Sequence, residues 1–494
     1  MTSDAHGGGR DEPSNETLDS PCIEFGTGQP LYPQILRHLY TPNALNEPIA
    51  LYRGQYCLPP SDCDELAYHG TIELKWLPHP QIEACGERTL ELRDRFRAEL
   101  ARRAQQPGTA WVIIPGVRLP GVPGVPPKPA QAAVNTAPAS GIGEQLTTMV
   151  FPSEFGDGSA LSRVTGLVVN GFDAGDGSPV MDPRGLRWPV SARTIGKGGG
   201  WVVTVDSLTL SDADWKELER NHGYQATHVV ELAREDGACF TADQADTALE
   251  VIGYGLTIAL GRHVCVMLPV GWQQEEAVWT RWRFRRIDPH SGSGTWLDHM
   301  VASTQVGELL GRMLEIWQDD LRRETLRDAS SYLVQAQAGQ AELGITLPIS
   351  GLTLLSYSHL VEELGTHSKA QWDKLWVEGQ IRELITSLRS AANLEVPADQ
   401  VYLEALRARL AAKSSKAVFD GLSCIVKMRN AIMHPSRGER SDWTYEEIVE
   451  GYLLATHLFE MALLAYVGYR GKVHPRISAV RMAGYIEDVP WATA

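Results

Sequence analysis

Residues 426 to 439 read VKMRNAIMHPSRGE, and how they are read decides the helical half of the chain. At 100° per residue, Val418, Leu422, Ile425 and Ile432 form one apolar stripe along a helix predicted over 416 to 434, with Arg429 in the middle of that stripe. A guanidinium does not lose its charge, so an arginine there needs an anion or several acceptors. One source is internal: the following helix offers Glu446, Glu450 and Glu460 along one face with His457. The other is an anionic ligand. On an unbroken helix His434 would lie about 140° from Arg429. Pro435 disfavours helical geometry at the residue before it, so the chain should leave the helix at His434, and the imidazole can then swing toward Arg429. The plainer role for His434 is to satisfy carbonyls at the helix C-terminus.

Around this stretch the texture is helical. Amphipathic periods run over 302–337, 347–365, 368–390, 398–413, 416–434 and 442–468, which predicts an all-α domain over 295–472 followed by a tail, 473–494. The apolar run YLLATHLFEMALLAYV at 452–467 is short and broken by His457 and Glu460, so it reads as a buried helix and not as a membrane span.

Upstream the pattern changes. Residues 1–25 are polar, Gly- and Ser-rich, and expected to be disordered, with no apolar stretch of the signal-peptide kind. Residues 26–114 hold strand-like runs, PIALYRG and GTIELKWL, and then a helical period, ERTLELRDRFRAELARRA. A Pro/Gly-rich linker is expected over 115–143. A mixed α/β unit is expected over 144–294, with strands in RVTGLVVNGF, GGGWVVTVDSLTL, HVCVMLPVGW and VWTRWRFRRID. Its helices begin at caps Ser211 or Asp212 and Thr241. The expected class is α+β multidomain, a β-rich N-terminal half followed by a helical bundle.

With 45 Lys and Arg against 61 Asp and Glu over 494 residues, the net charge is −16. That balance excludes a broad basic face; any nucleic-acid contact has to be local and arginine-focused. The seven cysteines include no CxxC pair, which points to reduced thiols in the cytosol. In VWTRWRFRRID a strand would put Arg281, Arg283 and Arg285 on one face, either as a solvated face over an aromatic layer or as an anion or RNA guide. His222, His228, His263, Cys239 and Cys265 match no zinc-ligand spacing. GKGGG at 196–200 lacks the spacing of a phosphate-binding loop and reads as a turn. No metal or cofactor is expected.

The Arg429-Asn430-x-x-x-His434 spacing, late in a helical domain and ahead of one more long helix, resembles the HEPN superfamily of higher-eukaryote and prokaryote nucleotide-binding domains. Residues from GGGWVVTVDSLTL through RRIDP also resemble the central domain of bacterial YopA-like proteins and of ApeA-type antiphage proteins, which place such a domain ahead of a HEPN domain. The resemblance implies a cytoplasmic, metal-independent endoribonuclease of an antiphage or abortive-infection system. Its N-terminal half would sense a phage-derived trigger, and Arg429, Asn430 and His434 would be the catalytic residues. It leaves open a non-catalytic HEPN module that dimerises or binds nucleotide. Histidine, with a reference pKa of about 6.5, can serve as base or acid, and arginine can hold two phosphate oxygens. Lys427 and Arg437 are further candidate contacts for RNA, tRNA included. One histidine cannot readily be base and acid in the same step, so the reading includes a homodimer with a shared site, the apolar stripe as its interface, and a 2′,3′-cyclic phosphate product.

Overall fold

The computed structural model describes residues 32–40, 44–57, 67–87, 111–112, 130–133, 145–150, 153–181, 190–208, 210–283, 285–292, 294–391, 394–434, 443–477 and 482–492. The expected disorder at 1–25 and, beyond Glu87, the expected helix at 87–104 lie outside these residues. Glu87 itself ends a strand.

Strands β1 (Ile49–Cys57), β2 (Ala67–Lys75), β3 (Gln81–Glu87), β4 (Trp111–Val112), β5 (Ala130–Ala133) and β6 (Gln145–Val150) form one antiparallel sheet in the order β1-β2-β3-β6-β5-β4. Two expected boundaries move as a result. The linker at 115–143 contains β5, which starts directly after Pro129, where every residue again has an N–H for a ladder. The central unit does not start at 144, because β6 belongs to this first sheet.

The second sheet comprises β7 (Ser153–Gly156), β8 (Arg163–Val169), β9 (Ser178–Val180), β10 (Val190–Gly198), β11 (Trp201–Ser207), β12 (Ala226–Arg234), β13 (Val266–Gln273) and β14 (Glu276–Trp282), in the order β7-β14-β13-β8-β12-β11-β10-β9. Helix α1 (Asp212–Asn221) starts at a capping box on Ser211, and α2 (Ala242–Leu260) at one on Thr241. The sheet reads as valine-rich runs because both its faces are covered. Leu167, Val169, Val229 and Met267 pack against Ile72, Leu74 and Ile82 of the first sheet. Val164, Val168, Val203, Val205 and Val230 pack against the helices.

The helical half holds α3 (Ala302–Ile316), α4 (Asp320–Ala338), α5 (Leu343–Tyr357) running into a π-helical turn (Ser358–Glu363), α6 (Lys369–Trp372), α7 (Val377–Leu388), α8 (Val401–Ala411), α9 (Gly421–Met433) and α10 (Tyr445–Val467). The period at 302–337 is two helices, because Asp319 accepts the Arg322 N–H at 3.1 Å and restarts the chain. The helix expected from 416 starts at 421, where Asp420 accepts the Ser423 N–H at 2.9 Å; Val418 lies before it and is 64% exposed.

The helical half is not a separate body. Its first helix belongs to the central sandwich, with Gly307 and Gly311 of α3 lying on Gly196 and Gly198 of β10. A Cβ at Gly311 would come within 2.5 Å of the Lys197 carbonyl oxygen, and one at Gly196 within 2.6 Å of that of Gly307. The glycines of GKGGG therefore do more than turn the chain: they let a helix backbone touch a strand. One apolar core runs from Leu161 through α2, α3 and α10 to Trp491.

The expected tail at 473–494 is part of that core. Strand β15 (Lys472–Val473) pairs with β16 (Glu487–Asp488), and Trp491, 8% exposed, donates from Nε1 to the Tyr469 carbonyl at 2.5 Å. Helix α10 is long and apolar enough to cross a membrane, yet it is the central helix of the bundle, with Leu454, Phe459, Leu463 and Val467 all buried.

Candidate functional site

Helices α7, α8 and α9, with the turns before α7 and after α8, enclose a cleft of about 1240 Å³. Arg429, Asn430 and His434 all line it, as does Lys427. Helix α9 ends at Met433, and His434 has left helical geometry, with φ −128° and ψ 68°. Its N–H still bonds the Asn430 carbonyl at 2.9 Å, and its side chain is exposed. Pro435 and Arg437 lie outside the described residues.

Arg429 is half-buried. One terminal nitrogen donates to Asn430 Oδ1 at 3.0 Å, and Nε is buried with no hydrogen-bond partner among the described residues. Among the described residues, none of the three carboxylates expected along the next helix pairs with it. Glu460 takes two hydrogen bonds from Arg476, at 2.6 and 2.9 Å, deep in the core. Glu450 accepts the Leu403 N–H at 2.7 Å at the start of α8, and Glu446 lies exposed on the first turn of α10. His457 is half-buried, and desolvation of its ring, with Arg476 nearby, pushes its pKa down to about 4. The stripe is also not an interface: Leu422 and Ile425 are fully buried inside this chain, and Ile432 packs against the same core.

The cleft walls are held by ion pairs. Arg382 on α7 reaches Asp420, at 2.8 Å from each terminal nitrogen, and Glu378 at 3.0 Å, while Ser423 donates to Glu378 at 2.8 Å and Lys416 pairs with the same carboxylate. Burial pushes the Glu378 and Asp420 carboxyls up, but these donors outweigh it and hold both below the usual carboxylate range. On the opposite side Arg409 of α8 bonds Glu447 of α10 at 2.6 and 3.1 Å. Burial pushes the Cys424 thiol on α9 up to about 12, so it is not a nucleophile. Among the described residues, Glu378 is the sole acid in the lining, against Lys374, Arg382, Arg409, Lys413, Lys416, Lys427 and Arg429. On a chain of net charge −16 this is a local basic site.

A family profile described as the YopA central domain matches residues 156–293, and one described as the YopA C-terminal domain matches residues 319–487. The chain carries YopA-like central and C-terminal domains. It is 22% identical over 454 residues, 91% of this chain and 96% of the relative, to the SPbeta prophage-derived uncharacterized protein YopA of Bacillus subtilis (strain 168). No solved structure matches the chain.

The cleft lies wholly within the YopA-like C-terminal domain. The second candidate cluster lies in the YopA-like central domain and is built differently. Arg281 on β14 sits 5.3 Å over the Trp279 ring and pairs with Glu154 at 2.9 Å and with Asp246. Arg283 bonds Asp246 at 2.6 Å, and burial together with Arg285 and Arg281 pushes it down to about 10. Arg285 is half-buried just past the strand. Trp282 is fully buried on the other face, and Phe284 lies outside the described residues. Arg281 and Arg283 thus form an internal ion network rather than a guide for anions. Among the described residues, no three His, Cys, Asp or Glu side chains gather in a way that could hold a metal ion.

Sequence reasoning missed the rest of the cleft: Lys374 and Trp376 before α7, and Lys413 and Lys416 after α8. The signal is present in the dipeptide-spaced K-S-S-K of 413–416 and in KLW at 374–376, but both lie where the pattern predicts helix or a helix end.

Proposed function

We propose that this protein is a metal-independent endoribonuclease of HEPN type, with Arg429, Asn430 and His434 as its catalytic residues. The observation that carries the reading is that these three side chains line one basic cleft, while among the described residues no carboxylate pairs with Arg429. An arginine left in that state suits a phosphate, which it can hold through two oxygens and stabilise more strongly as charge grows in a phosphorane. The exposed imidazole of His434 takes the 2′-hydroxyl proton or supplies one to the leaving 5′-oxygen. Asn430, bonded to Arg429, orients the guanidinium. A second imidazole comes from a second copy of the chain, so the working form is a homodimer. Since α9 spends its apolar stripe on its own core, the copies meet along other surfaces around the cleft mouth.

A cytoplasmic antiphage or abortive-infection role, with the sandwich half sensing a phage-derived trigger, goes with this reading. The prophage origin named for the Bacillus relative supports it. The second reading, a non-catalytic HEPN module that dimerises or binds nucleotide, is favoured by His434 being the single imidazole among the described residues that line the cleft. Sequencing RNA ends decides between them, from cells expressing wild type, Arg429→Ala or His434→Ala, with and without phage. New ends bearing 2′,3′-cyclic phosphate, formed by wild type and lost in both variants, support the nuclease. Removing one proton-transfer group should slow cleavage about 10²- to 10⁴-fold. Folded variants that generate the same ends as wild type overturn it.

A further inference from the structure

Trp376 is 88% exposed, the most exposed large apolar side chain among the described residues. It is not loosely held. It precedes α7 in extended geometry, with its carbonyl accepting the Gln380 N–H at 3.0 Å. Buried Gln380 also donates from Nε2 to the carbonyls of Trp372 and Leu375, at 3.3 and 3.1 Å. The turn that presents the indole is therefore fixed while the ring stays in solvent. Lys374 lies two residues before it, and Lys413 and Lys416 face the same cleft. Lys374 and Lys413 have no carboxylate partner among the described residues, whereas Lys416 is tied to Glu378.

We infer that Trp376 is a stacking platform for an unpaired base, so that the cleft takes single-stranded RNA and not duplex, with Lys374 and Lys413 tracking its backbone. This rests on the reading of the cleft as an RNA site. An open indole among cations is the arrangement by which single-stranded nucleic acid is held: the ring receives the π-face of any base, and the lysines meet phosphates. In an A-form duplex the bases are stacked on each other and no face is free for the indole. Stacking carries little sequence information, so selection among RNAs comes from which of them offer unpaired nucleotides.

The test uses the full chain bearing His434→Ala, so that bound RNA stays intact, with and without Trp376→Ala or Trp376→Phe. The probes are a short unstructured RNA, the same RNA annealed to its complement, and polyglutamate as competitor, read by fluorescence anisotropy across a salt series. Trp376→Ala should weaken single-strand binding about tenfold, Trp376→Phe should restore most of it, and duplex should bind weakly to all three. Lys413→Gln should lower the salt slope by about one unit without changing the preference for single strands. Equal binding by the Trp376→Ala form, equal affinity for duplex, or displacement by polyglutamate as efficient as by RNA would overturn the inference. Cleavage by wild type with no dependence on Trp376 overturns the platform and leaves the nuclease. Trp376-dependent binding by a wild type that never cleaves supports the platform and removes the nuclease.

Discussion

Arg281 lies over Trp279 and gives its guanidinium to Glu154 and Asp246, whereas Arg429, on a helix with an equally apolar inner face, bonds among the described residues to the side-chain oxygen of Asn430 and to no carboxylate. In the sequence both were arginines set among hydrophobic residues and both were candidates for binding an anion. The difference lies in which carboxylates the fold brings to each place. Around Arg281 and Arg283 it brings Glu154, Asp243 and Asp246. In the cleft that Arg429 lines, the acid among the described lining residues is Glu378, already shared between Lys416 and Arg382. A net charge of −16 says little about any one cation until the local acids are placed.

The largest effect that sharpens this contrast belongs to Arg476, the arginine that takes Glu460. Both side chains are almost wholly buried, 7% and 1% exposed, so Arg476→Met leaves an uncompensated carboxylate and should cost about 3–5 kcal/mol in urea unfolding. If the loss is negligible, Glu460 was free for another partner, and the isolation of Arg429 loses its basis. Next comes Asp246→Asn, which takes a carboxylate away from both Arg281 and Arg283. A loss of about 2 kcal/mol, measured the same way, marks the central cluster as structural. An unchanged protein would mean that those arginines can be spared for a ligand.

A smaller effect follows from His457. Its folded pKa is near 4, against about 6.5 in an unfolded chain, so between those values the unfolded state holds a proton that the folded state lacks. Stability is therefore complete above about pH 6.5 and falls as pH drops through the window, by about 1.4 kcal/mol per pH unit for this one group. His457→Gln should flatten the slope of unfolding free energy against pH by that amount between pH 5 and 6. An unaltered slope would show that water reaches the imidazole and that the core beside Glu460 and Arg476 is wet.

The elements with strong local signals were legible. Capping boxes at Ser211 and Thr241 start their helices where the residues say they do, and valine-rich strands such as β8 and β11 stand where alternation and bulk put them. What depends on contacts far apart in sequence was not. Nothing near Gly196 announces that Gly307 will lie against it, and nothing near Trp491 announces that it will close the core beside Tyr469. In the cleft, the break at His434 was readable because proline acts on its neighbour. The burial of the stripe at Leu422 and Ile425 inside this chain, by contrast, is not readable, because an apolar helix face does not say whether a core or a partner covers it. Trp376 was invisible for the opposite reason: an exposed indole has no pattern to be periodic with.

The smallest expected effect on stability falls on the residue expected to matter most for function. Arg429 has a buried Nε with no partner among the described residues and one hydrogen bond to a neighbour on its own helix, so the folded chain gains little from its charge. Arg429→Met keeps an unbranched apolar stem at that helical position and removes the unsatisfied donor. Unfolding free energy should change by less than about 0.5 kcal/mol, or rise, while RNA cleavage is lost. A group that destabilises its own fold and is needed by the reaction is held there for the ligand. Were Arg429→Met to destabilise as strongly as Arg476→Met, then Arg429 would have a partner inside the chain, the two regions would be alike, and the cleft would have to be read as a structural seam between α7, α8 and α9.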